Sequence, residues 1–141
     1  MAKLTSFEGI GYVAATFPVD AATQTYLKTN YTEATTGNVD INGKQLAVKL
    51  NADGTVGFGN AEPTEDDTLI GIIMTYEMDG YAGVQIYGGV DNVPTKEAVE
   101  AGYTTLVVND KGQVQELATV GHEVAVVKPA TADSLFVSIK L

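Results

Sequence analysis

Leu50-Asn51-Ala52-Asp53-Gly54-Thr55-Val56 and Val108-Asn109-Asp110-Lys111-Gly112-Gln113-Val114 read as one pattern written twice. In each, an apolar residue leads into Asn, a glycine follows at the same spacing, and a valine resumes the apolar run. Glycine supplies the positive φ that a tight turn needs, so each copy predicts strand, turn, strand. Further along, Ile70-Gly71-Ile72 matches Val124-Ala125-Val126, and Val84-Gln85-Ile86 matches Val137-Ser138-Ile139. Matches in the same order predict an internal duplication, with halves at Lys44–Gly88 and Thr104–Leu141.

Outward from these turns the text stays β. Lys44 to Leu50 alternates, with Leu46, Val48 and Leu50 expected on one face and Gln45, Ala47 and Lys49 on the other. Asn42-Gly43 before it carries a hairpin signal. Leu69 to Tyr76 is nearly continuous in apolar residues and predicts a strand buried on both faces. Asp79-Gly80 turns it toward a strand ending at Tyr87, and Leu135, Val137, Ile139 and Leu141 predict one face of a last strand.

A short helical turn is expected at Pro94–Ala101, where Pro suits a helix start and Gly102 a helix end. Asp20 to Tyr31 is a weaker helical candidate, opened by an Asp cap but carrying Thr23, Thr25 and Thr29. Residues 1–37 show no sustained period and predict an N-terminal arm, extended or partly helical, ahead of a β-barrel-like domain over 38–141. The fold class expected is mainly β: a small β-barrel or β-sandwich-like domain of two similar halves, with one short helix and the arm.

Composition narrows the function. The 141 residues hold 18 acidic side chains against 8 lysines and no arginine, a net charge of −10. Phosphate binding needs clustered cations, so nucleic acid and anionic membrane are unsuited partners. The longest apolar run, Leu69–Met74, is too short to span a bilayer. With no cysteine and one histidine, the chain lacks most side chains that carry nucleophilic and acid–base chemistry. No catalytic site, metal or cofactor is expected.

Each local motif has a plainer reading. Gly9-Ile10-Gly11-Tyr12-Val13-Ala14 matches a dinucleotide fingerprint, but that site needs a preceding strand and a following helix. Glu62-Pro63-Thr64-Glu65-Asp66-Asp67 lacks the glycine-turned spacing of a calcium loop and predicts a solvated acidic loop. Glu77 and Asp79 read as the polar end of a hairpin, and His122 as a strand-edge residue without a serine partner.

The duplicated β region resembles the capsid decoration, or capsid cement, proteins of tailed bacteriophages. The resemblance runs over about residues 39–141. It is carried by Leu46 to Val56, Leu69 to Ile73 and Gly83 to Gly88, then by Ala101 to Val114, Glu123 to Val127 and Leu135 to Ile139. The chain departs from the family pattern in a longer, more aromatic first 37 residues and in Tyr103 after Ala101-Gly102. The resemblance implies a structural virion protein, made in the host bacterial cytoplasm and located on the outer capsid surface. Its partner would be the major capsid protein, whose contacts it reinforces, and its functional unit a homotrimer.

A rival class is a carbohydrate-binding or adhesin-like β module, for which the seven tyrosines offer stacking surfaces. In the 1–37 arm, Phe7, Ile10, Tyr12, Val13, Phe17, Tyr26, Leu27 and Tyr31 are the expected capsid- or protomer-contact residues. Apolar side chains at that density mark an interface when exposed.

Overall fold

In the computed structural model, residues 11–77, 79–118 and 122–141 are described. The first half contains β1 (Val13–Pro18), α1 (Ala21–Tyr31), β2 (Ala47–Leu50), β3 (Val56–Gly57), β4 (Leu69–Tyr76) and β5 (Tyr81–Tyr87). The second contains β6 (Gly89–Pro94), β7 (Gly102–Val108), β8 (Val114–Leu117), β9 (Glu123–Lys128) and β10 (Phe136–Lys140). They form two antiparallel five-stranded sheets, ordered β1-β5-β4-β2-β3 and β6-β10-β9-β7-β8. Strand for strand the two orders are the same, so the fold is mainly β with two similar halves.

Each sheet also curls on itself in the same way. The residue just past the first strand pairs in parallel with the third strand, Val19 with Val56 and Thr95 with Val114. Asp20 N–H donates to Val56 O at 2.9 Å, and Lys96 N–H donates to Val114 O at 3.1 Å. First and third strands are the sheet edges, so this bridge draws each sheet toward a small barrel and shortens its open edges.

The pairing register refines the duplication. The Gly54 and Gly112 turns correspond as expected, with φ of 87° and 75°. Pro18 lies opposite Tyr81 as Pro94 lies opposite Phe136, which makes Val84 the counterpart of Ile139 rather than of Val137. Ile73 pairs with Val84 and Val126 with Ile139, each followed by one unpaired residue, Met74 or Val127. The repeated unit therefore begins one strand earlier in each half than Lys44 and Thr104.

Each half has its own core. Val48, Val56, Ile73, Ala82 and Val84 pack together in the first, and their counterparts Leu106, Val114, Val126, Val137 and Ile139 in the second. Ala47, Leu69 and Ile72, on the opposite face of the first sheet, insert into the second core and join the halves. This is why β2 and β4 are apolar on both sides. An unpaired Ile70 between the Lys49–Leu69 and Val48–Gly71 pairs keeps Leu69 and Ile72 on one face. Each fully buried Val or Ile contributes roughly 1.5–3 kcal/mol.

Several expectations need correction. The helix lies at α1, and none forms at Pro94–Ala101. Asp20 caps α1 by accepting the Thr23 N–H at 2.8 Å. A Cβ on Gly57 would fall 1.8 Å from Asp20 Oδ2, so this helix start rests directly on β3. At 95–101 the backbone is spent on the second sheet instead. Thr95 N–H donates to Leu135 O, and Val99 and Ala130 exchange two bonds of 3.1 and 3.0 Å. So short a segment does not nucleate a helix against those partners. Val99 plugs the second core as Leu27 plugs the first.

Strand β2 starts at Ala47 rather than Lys44, because Gln45 takes a left-handed φ of 53° and its Nε2 donates to Asp91 O. Leu50 is exposed instead of sharing the buried face of Leu46 and Val48. Ser138, between Val137 and Ile139, is buried too, so the last strand does not alternate cleanly. The segment expected as an arm over 1–37 divides: residues 1–10 lie outside the described residues, and Val13–Tyr31 build β1 and α1.

Candidate interaction surfaces

The fold distributes the expected contact residues among different environments. Phe7 and Ile10 lie outside the described residues. Tyr12 and Val13 are 61% and 52% exposed at the head of β1, an edge strand. Val13 lies opposite Tyr87, itself 55% exposed, so three apolar side chains crowd one end of the sheet. Gly88 makes the crowding possible: with φ of 97°, a Cβ there would meet Gly11 O at 2.6 Å and Tyr12 Cβ at 3.1 Å. The dinucleotide reading of Gly9-Ile10-Gly11 fails in this place, since the strand β1 follows the glycines and not a helix.

Leu27 is fully buried in the first core and is corrected from contact residue to core residue. Phe17 packs partly buried against the same core. Tyr26 and Tyr31 are half-buried and held by neighbours. Tyr26 meets Phe58 edge-on at 5.3 Å between centroids and Tyr31 at 6.4 Å, tilted by 59°. Lys44 Nζ sits 5.9 Å from the Tyr31 ring centre, a cation–π approach. Burial, then Tyr31 and Asp110, push the Tyr26 phenol above its ordinary range, so it stays neutral at pH 7.

These two tyrosines form one wall of a groove of about 380 Å³ between the halves. Across it stand Pro94, Lys111, Gln113 and Phe136, with Phe136 49% exposed. A second groove, about 490 Å³, is floored by Leu50, Leu69, Ile70 and Ile86 and rimmed by Asp66, Thr68 and His122. Among the described residues no group of three or more His, Asp or Glu side chains is placed to hold a metal ion.

The acidic loop also differs from its expected form. Glu62, Glu65 and Asp66 are exposed, but Asp67 is fully buried. Its Oδ1 accepts from Lys49 Nζ at 2.9 Å, while Oδ2 accepts from Thr64 N–H at 3.0 Å and Asn60 Nδ2 at 3.1 Å. Burial raises the carboxyl's pKa, yet these hydrogen bonds and the Lys49 charge outweigh it and hold the group below its ordinary value. Asp67 is thus a structural anchor that ties the loop to β2.

Sequence reasoning missed Tyr87, Phe136, Lys44 and Lys111 as surface partners of the expected residues. No local signal marks them, because each meets its neighbours only through contacts between segments distant in sequence. No family model, characterised protein or solved structure matches the chain.

Proposed function

We propose that this protein is a structural decoration protein of a phage capsid, binding the shell's outer surface and reinforcing contacts between major capsid proteins. The observation that carries the reading is the exposed pair Tyr12 and Val13 at the head of edge strand β1, with exposed Tyr87 opposite Val13 on β5, in a strongly acidic protein. An exposed edge invites pairing or covering, and apolar side chains gathered there favour a partner. The doubled core supplies rigidity, and the net charge keeps unassembled copies apart. A homotrimer, with protomers meeting near this edge, would cover three such clusters at once.

Co-sedimentation with empty phage heads tests the reading. The intact chain is expected to pellet with heads at saturating, stoichiometric occupancy, and the Tyr12→Ser, Tyr87→Ser double variant to bind at least about tenfold more weakly. A chain that stays in the supernatant, or a double variant that decorates fully, refutes it.

A further inference from the structure

The groove between the halves combines cationic and aromatic side chains. Two of the chain's 8 lysines, Lys44 and Lys111, line it, in a protein of net charge −10. Three aromatic rings line it as well: Tyr26 and Tyr31 from the first half and Phe136 from the second. Gln113 adds an amide whose Oε1 already accepts from Asn109 Nδ2 at 2.9 Å, leaving Nε2 as its donor. Asp110 lies in the adjoining cleft, beside Asp20 and Phe58.

We propose that this groove binds a carboxylated sugar of an acidic glycan, with Lys44 and Lys111 facing the carboxylate and Tyr31 and Phe136 flanking the sugar ring. A pyranose has an apolar C–H face that stacks on an aromatic ring, and a uronic acid adds one fixed negative charge beside it. Ammonium groups next to aromatic faces suit that combination. A volume of about 380 Å³ suits a small ligand.

The backbone argues against an extended peptide as occupant. Pro94 has no N–H, Lys44 N–H is spent on Ile41 O, and Gln113 N–H is spent on Asn109 Oδ1. None of these three positions offers a backbone donor for strand addition. Tyr26 is fixed by Phe58 and Tyr31 before any ligand arrives, which lowers the ordering cost of binding. The site stands apart from the Tyr12–Val13–Tyr87 cluster, and the proposal is independent of shell attachment.

Calorimetric titration of the full chain tests it with three probes: trigalacturonic acid, the uncharged galactose trisaccharide and hexaglutamate. Saturable binding of trigalacturonate is expected, with the neutral trisaccharide at least about tenfold weaker, as loss of a charge-assisted contact implies. Lys44→Gln with Lys111→Gln, and separately Phe136→Ala, are each expected to weaken trigalacturonate by about tenfold or more. All three positions are exposed, so melting temperature should hold, and Tyr103→Ala, at another exposed tyrosine, should change nothing. Absence of saturable binding overturns the proposal. So does equal affinity for hexaglutamate, which would mark an acidic-peptide site, or indifference to Phe136→Ala, which would reduce the groove to bare charge. Head co-sedimentation of the lysine variant is scored separately, so failure of either reading leaves the other intact.

Discussion

Lys49 Nζ and Asp67 Oδ1 lie 2.9 Å apart, one on β2 and the other at the end of the acidic loop, with Asp67 wholly shielded from solvent. The pair closes the loop between β3 and β4 onto the sheet. Gly59 deepens the closure, since a Cβ there would meet Val108 O at 2.0 Å and Asp67 Cβ at 2.9 Å.

Asp67→Ala should therefore destabilise the fold by about 3 kcal/mol, because it leaves Lys49 Nζ and the Thr64 N–H without their acceptor. The pH dependence follows from the lowered carboxyl pKa. Stability from Asp67 is complete above its ordinary value of 3.8 and is lost as pH falls through the lower folded value. Melting curves from pH 5 downward should show a steeper loss for the native chain than for Asp67→Asn.

The two repeat turns should respond unequally to the same change. Gly54 and Gly112 both have positive φ, so alanine costs about 1–2 kcal/mol at either from backbone strain alone. A Cβ at Gly54 meets nothing within 4 Å, whereas at Gly112 it meets the Phe58 ring at 2.7 Å. Overpacking should add about 1–3 kcal/mol to Gly112→Ala. Urea unfolding of the two variants makes the comparison, and equal midpoints would contradict the packing of the Gly112 turn on the first half.

Asp20→Ala should cost about 1–2 kcal/mol, measured the same way. It removes the α1 cap and the acceptor of Asn51 Nδ2, 2.9 Å away. Asp20→Asn should recover part of the loss, since an amide oxygen still caps.

Leu27→Ala and Tyr12→Ala should separate core from contact surface. Leu27 is fully buried, so its truncation should cost about 2–5 kcal/mol. Tyr12 is largely exposed, and its truncation should leave thermal stability within about 0.5 kcal/mol of the native chain.

Deletion of residues 2–20 removes β1 and the helix cap and should unfold the first half, which circular dichroism reads as a loss of strand and helix signal. Light scattering of the intact chain tests the homotrimer, with three chain masses expected and a monomer, free and on shells, as the contrary result.

What the sequence determined by itself was the β class, the duplication and its two glycine turns. These rest on local chemistry, since Asn-x-x-Gly between apolar runs fixes a turn wherever it lies in the fold. Leu69–Tyr76 was legible for a related reason, as a continuous apolar run has no polar face to offer water. Tertiary structure alone decided where the repeated unit begins, because β1 and β6 are recognised only by the strands they pair with. It also chose the helix. The better helical string at 94–101 lost its backbone donors to the second sheet, while threonine-rich α1 gained Leu27's burial and the Asp20 cap. The surfaces followed the same rule. Burial of Leu27, exposure of Leu50 and the placement of Tyr31 and Phe136 on one groove depend on how segments distant in sequence pack, and no local pattern encodes that.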